Sequence, residues 1–147
     1  MRKILVGTAI IGSLLVLSTG PANARPKNPQ GTIELRTEIA TLDELFAVIA
    51  SGADASYGDT VEFETSVSGV SNRATVYITV VCKQGSTVVY QASAAPDASF
   101  ELTDQAGDNL EWDGQSADCE AWLQHLVKKG KGYTVTNLDI DDFTVAA

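Results

Sequence analysis

Three side chains could do covalent or metal chemistry here: the two cysteines, Cys82 and Cys119, and the single histidine, His125. A cysteine nucleophile needs a base that draws off its proton. His125 follows Cys119 by six residues. On a strand that spacing puts both on one face but about 20 Å apart, too far for proton transfer. Structural zinc needs four ligands at characteristic spacings, and the chain has neither C-x-x-C nor H-x-x-x-H. The stretch "GQSAD" around Ser116 lacks the second glycine of a G-x-S-x-G elbow, and the α/β pattern such an elbow needs is missing as well. The expectation is therefore no catalytic residue, no metal and no cofactor.

The carboxylates form two groups: Asp104, Asp108 and Asp113 around one loop, and Asp139, Asp141 and Asp142 near the C-terminus. Calcium takes six or more oxygens, and loop aspartates can supply them. Neither group follows the D-x-[DN]-x-[DN]-G order of a calcium loop. Both read as solvated loops and strand ends, with Asp104, Asp108 and Asp113 kept as a possible binding surface. Lys128, Lys129 and Lys131 make a basic tip on an acidic chain, and Trp122 and Tyr133 are candidate surface aromatics. These two rings are read as a cross-strand pair, with an exposed binding hot spot as the alternative.

The elements that would carry these residues are strands. Ile33, Leu35 and Ile39 alternate along Thr32–Ile39. Thr41–Ile49 fits either a capped helix or a strand, and the strand is preferred. From Asp59 the period is two: Val61, Phe63, Thr65 and Val67 face one way, and Glu62, Glu64, Ser66 and Ser68 the other. Ala74–Cys82 and Thr87–Ala92 make a hairpin about Lys83–Ser86. Phe100 and Leu102 mark a short strand. Ala117, Cys119, Ala121 and Leu123 alternate against Asp118, Glu120, Trp122 and Gln124. A turn over Lys128–Gly132 leads into a last strand with Tyr133, Val135, Ile140, Phe143 and Val145, broken near Asn137. Seven or eight strands with turn signals between them indicate an all-β sandwich.

The N-terminus begins with a basic head, Met1-Arg2-Lys3, then an apolar run from Ile4 to Leu17 and the small-residue site Ala22-Asn23-Ala24. That is the pattern of a secretory signal peptide over 1–24, and the apolar run is shorter than the roughly 20 residues of a membrane span. Residues 25–40 read as an N-terminal tail or edge strand, and 41–147 as one sandwich domain. Cleavage after Ala24 removes Arg2 and Lys3 and no acidic residue, taking the formal charge from −9 to −11. Such a surface repels phosphate backbones, so nucleic acid is a poor partner; a basic protein or a cell-wall partner suits the charge better. Two cysteines in an exported domain favour a disulfide. Closing the chain between them would add about 4 kcal/mol on the chain-entropy model.

"GDTVEFETSVSG", Gly58–Gly69, resembles the second strand of immunoglobulin-like domains, with Thr65 where a cysteine often stands. "DGQSADC", Asp113–Cys119, resembles their sixth strand, with Ala117 at the usual tyrosine position. The order "YGDTVEF", "VVCKQGSTVVY", "SADCEAWL" and "DFTV" is similar to a group of small secreted actinobacterial proteins of unknown function, over roughly Ala50–Val145. The resemblance implies an immunoglobulin-like antiparallel β-sandwich. Its third and sixth strands are sheet neighbours, so a Cys82–Cys119 bond fits. It transfers no catalytic residue. The expected protein is a secreted monomer that binds a protein or wall partner without catalysis. The alternative is a small acidic inhibitor of a basic extracellular hydrolase.

Overall fold

Alternating apolar and polar residues produce eight strands in the computed structural model, which describes residues 28–36, 50–105 and 110–147. The strands are β1 (Gln30–Arg36), β2 (Ala55–Ser56), β3 (Thr60–Ser68), β4 (Thr75–Gln84), β5 (Thr87–Ala94), β6 (Phe100–Glu101), β7 (Ala117–Lys129) and β8 (Gly132–Ala146). The signal-peptide segment 1–24, the segment 41–49 preferred as a strand, and Asp108 lie outside the described residues. Among the described residues no helix is long and apolar enough to cross a membrane.

The strands form two sheets, β1-β3-β6 and β2-β8-β7-β4-β5. All pairings are antiparallel except β2 with β8. Period-two alternation fills the space between the sheets. Ile33, Val61, Phe63 and Phe100 of the smaller sheet meet Ile78, Val80, Ala121, Leu123, Phe143 and Val145 of the larger. Phe63 touches Phe100 and Phe143 edge-on, with ring centroids 5.8 and 5.9 Å away. Burying each such ring contributes about 1.5–3 kcal/mol. Trp112 leaves the strand pattern and seals the core from a loop. Its indole N–H donates to the Gln115 carbonyl at 2.8 Å, and its ring meets Tyr57 and Tyr90 edge-on.

Cys82 and Cys119 are bonded, with S–S 2.02 Å and Cα atoms 4.0 Å apart. They face each other across the β4–β7 ladder, so the bond lies within the larger sheet. Both hairpin turns are tighter than their composition indicates: Gly85-Ser86 joins β4 to β5, and Gly130-Lys131 joins β7 to β8. Gly85 and Gly130 adopt φ of 61° and 63°, the left-handed region where only glycine is comfortable. The expected break near Asn137 is a β-bulge. Leu123 pairs with Asp139 and Gln124 with Asn137, leaving Leu138 as the extra residue.

β1 lies over this bulge. A Cβ on Gly31 would sit 2.7 Å from Leu123 Cδ2 and 3.3 Å from Leu138 Cβ, so only glycine lets the sheets approach this closely. The free edge of β1 is closed by side chains of β8. The Ile33 N–H donates to Asp139 Oδ2 at 3.0 Å, and the Leu35 N–H to Asp141 Oδ2 at 2.6 Å. These two aspartates, read from sequence as solvated strand-end carboxylates, instead face inward and satisfy backbone donors that the smaller sheet leaves over.

Candidate binding face

A two-layer sandwich uses one face of each sheet for its core; on the other face of the larger sheet the β8 residues Tyr133, Val135, Ile140 and Asp142 are exposed, while Val81, Thr79 and Gln124 are buried. Alternation and register decide what it shows. Across β8, β7 and β4 successive rows read Asp142–Glu120–Val81, Ile140–Trp122–Thr79, Asn137–Gln124–Tyr77 and Val135–Leu126–Thr75, ending in the pair Tyr133–Lys128. Tyr133 is 66 % exposed, Ile140 50 % and Val135 47 %, the most exposed large apolar side chains among the described residues. Trp122 is half-buried with its indole N–H enclosed and unpartnered. It stands opposite Ile140, while Tyr133 stands opposite Lys128. The expected Trp122–Tyr133 pair is therefore corrected: a two-residue turn puts Tyr133 beside Lys128, far down the ladder from Trp122.

A hydrogen-bonded chain crosses the middle of this face. Ser93 Oγ and Thr79 Oγ1 lie 2.8 Å apart, Thr79 Oγ1 donates to Gln124 Oε1 at 2.8 Å, and Gln124 Nε2 donates to Asn137 Oδ1 at 2.8 Å. Four strands contribute one residue each. Thr79 and Gln124 are buried, and pairing them avoids the cost of unmet polar groups.

The two ends of the face carry opposite charge. At the hairpin tip Lys128, Lys129 and Lys131 are exposed. At the other end Glu120 and Asp142 are directly opposed, with Asp118 on the same side of β7. Like charges facing each other across a ladder destabilise it. Lys83 offsets this in part, 3.7 Å from Glu120 in an ion pair open to solvent, and such pairs contribute under about 1 kcal/mol. Asp54 completes the group, its Oδ2 accepting from the Thr144 N–H at 2.8 Å and the Thr144 hydroxyl at 3.1 Å. Asp54, Asp118, Glu120 and Asp142 line a shallow concavity of ≈ 420 Å³ about Lys83. A second concavity of ≈ 690 Å³ shares Lys83, Gly85, Asp118 and Thr144 with it.

The two loop aspartates among the described residues, Asp104 and Asp113, lie elsewhere and are occupied. Asp104 Oδ1 accepts from the Trp112 N–H at 3.4 Å. Asp113 Oδ1 accepts from Gln84 Nε2 at 2.8 Å and from the Gln115 N–H at 3.1 Å. The Gln84 amide, and then the Gln115 N–H, hold the Asp113 carboxyl below its ordinary range. Both residues thus shape the loop that seats Trp112. His125 is buried with neither ring nitrogen partnered. Among the described residues no three His, Cys, Asp or Glu side chains converge as metal ligands would. Burial raises the Tyr90 hydroxyl above its usual range. Its hydrogen bond with Gln105 opposes this shift, and the Glu101 charge reinforces it.

Comparison with protein families, characterised proteins and solved structures finds no match to the chain.

Proposed function

We propose that this is a secreted, immunoglobulin-like binding module without catalytic activity, working through the outer face of β4, β7 and β8. The strand order supports the immunoglobulin-like reading. A β5-β4-β7-β8 sheet opposed to β1-β3-β6 follows the order in which such domains arrange their two layers. The disulfide departs from that pattern, since it joins neighbours in one sheet instead of bridging two. It fits an exported protein all the same. The non-catalytic reading is supported by both cysteines being joined in the bond and by the lone histidine being buried without a hydrogen-bonded partner.

The carrying observation is the opposed Glu120–Asp142 pair on the outer face of the larger sheet, beside Trp122 and Ile140. A sheet gains nothing for its own stability from two carboxylates placed this way, whereas a cationic partner does. Affinity capture from the native culture tests the reading with the wild-type protein and a Glu120→Gln/Asp142→Asn variant. A partner retained by wild type and lost from the variant is expected. Equal recovery by both would defeat it.

The second reading, an acidic inhibitor of a basic hydrolase, draws on the same concavity, where four carboxylates face one lysine. Its expected signature is inhibition of a basic extracellular hydrolase at low salt that fades as salt screens the charges. No inhibition at low salt would rule it out.

A further inference from the structure

We propose that the open edge of β8 pairs antiparallel with β8 of a second copy of this chain, forming a two-fold dimer with one continuous sheet. The edges of the two sheets are managed very differently. β1 has its free N–H groups taken by Asp139 and Asp141. β5, the far edge of the larger sheet, shows solvent Thr87, Gln91 and Ser93. β8 is paired on its outer side only at Val145 and Ala146, by β2. From Gly132 to Phe143 no described strand covers it.

The backbone of this edge is correctly oriented for pairing. A two-residue turn makes Lys129–Gly132 the closing hydrogen-bonded pair of the hairpin. Tyr133 and Val135 therefore turn their N–H and C=O groups away from β7. Beyond the bulge the phase changes, and Thr144 points its N–H and C=O outward to Asp54. Ile140 and Asp142 share that phase. The Leu138 bulge thus keeps Tyr133, Val135 and Ile140 on one face with their backbone groups at the edge.

Charge selects the occupant. The stretch of edge that β2 leaves unpaired has Lys131 just before its start and Asp142 near its far end, so an antiparallel copy sets the basic end of each strand beside the acidic end of the other. With the two-fold axis near Thr136, Tyr133 faces Ile140 of the second copy, Val135 faces Asn137, and Lys131 meets Asp142. Each contact occurs twice, as an isologous interface requires. Backbone hydrogen bonds supply affinity and the charged ends fix direction and register.

The proposed dimer differs from the monomer expected from sequence, and charge reversal tests it. Sedimentation equilibrium of the purified protein should show the mass rising to twice that of one chain as concentration increases. Lys131→Glu or Asp142→Lys alone should weaken association about tenfold, since each turns two attractive surface pairs repulsive. The double variant Lys131→Glu/Asp142→Lys should restore it. Circular dichroism and thermal melts of each variant establish that the fold is intact. Because Asp142 also belongs to the acidic concavity, the Glu120→Gln variant separates the two readings: it should lower partner capture and leave the dimer unchanged. A mass of one chain at every concentration would overturn the proposal. So would a dimer indifferent to both reversals, or open-ended oligomers instead of dimers.

Discussion

The two halves of β8, on either side of Leu138, belong to one strand and one ladder but behave as different structures. From Asp139 to Ala146 side chains alternate between core and solvent, with Phe143 and Val145 buried. Carboxylates tie this half to β1, and β2 and Asp54 hold its outer edge over Thr144–Ala146. From Gly132 to Asn137 every residue is exposed, including Thr134 and Thr136, whose parity is that of the core face. The hairpin tip extends past the smaller sheet, so both of its faces are wet. Identical hydrogen bonding can thus hold a segment whose packing stabilises the fold and one whose side chains stay exposed.

The contrast can be probed from the anchored half outward. Replacing both cysteines, Cys82→Ala/Cys119→Ala, should lower stability in chemical denaturation by about 4 kcal/mol on the chain-entropy model. Next, Asp139→Ala/Asp141→Ala leaves two partly buried N–H groups of β1 without acceptors. The expected cost is about 2–3 kcal/mol, with faster amide exchange concentrated at Ile33 and Leu35. Gly31→Ala should cost about 2 kcal/mol by pushing β1 off the bulge, visible as a lower melting temperature. At the tip, Tyr133→Ser and Val135→Thr should shift stability of the isolated chain by under about 0.5 kcal/mol. If tip and anchor substitutions cost the same, the two halves are not distinct and the contrast fails.

Much of this frame is legible in the chain itself. Strict alternation in "TVEFETSVS" and "ADCEAWLQ" foretells β3, β7 and the inward side of each, and two cysteines behind a signal-like N-terminal pattern foretell the bond. What escapes depends on register and distant partners. Asp139 and Asp141 look like surface charges because their acceptor role is set by β1, 106 residues away. Counting back from the Gly130-Lys131 turn without a bulge would set Asp141 opposite Glu120. The extra residue at Leu138 brings Asp142 there instead, so the acidic concavity is one residue out of reach of simple counting. Tyr133 and Val135 alternate like core residues. Their exposure follows from the outer face they share with Trp122, whereas Thr134 and Thr136, of core-face parity, are exposed where the smaller sheet ends, which local pattern does not encode.

The placement of the disulfide has a mechanical consequence. Because it joins neighbouring strands of one sheet, it does not rivet the two layers together; tension on the chain ends would be resisted first by the Asp139 and Asp141 contacts and by side-chain packing. The segment between the cysteines, which are 37 positions apart, stays shielded from the load however far the ends are drawn. At full extension that withheld length is about 120 Å. Single-molecule stretching should therefore record a gain in contour length shorter by this amount for the oxidised chain than for the reduced one. Under load the sandwich can part while β5, β6 and the loops between the cysteines stay within the closed loop, a tether that yields without being fully unravelled.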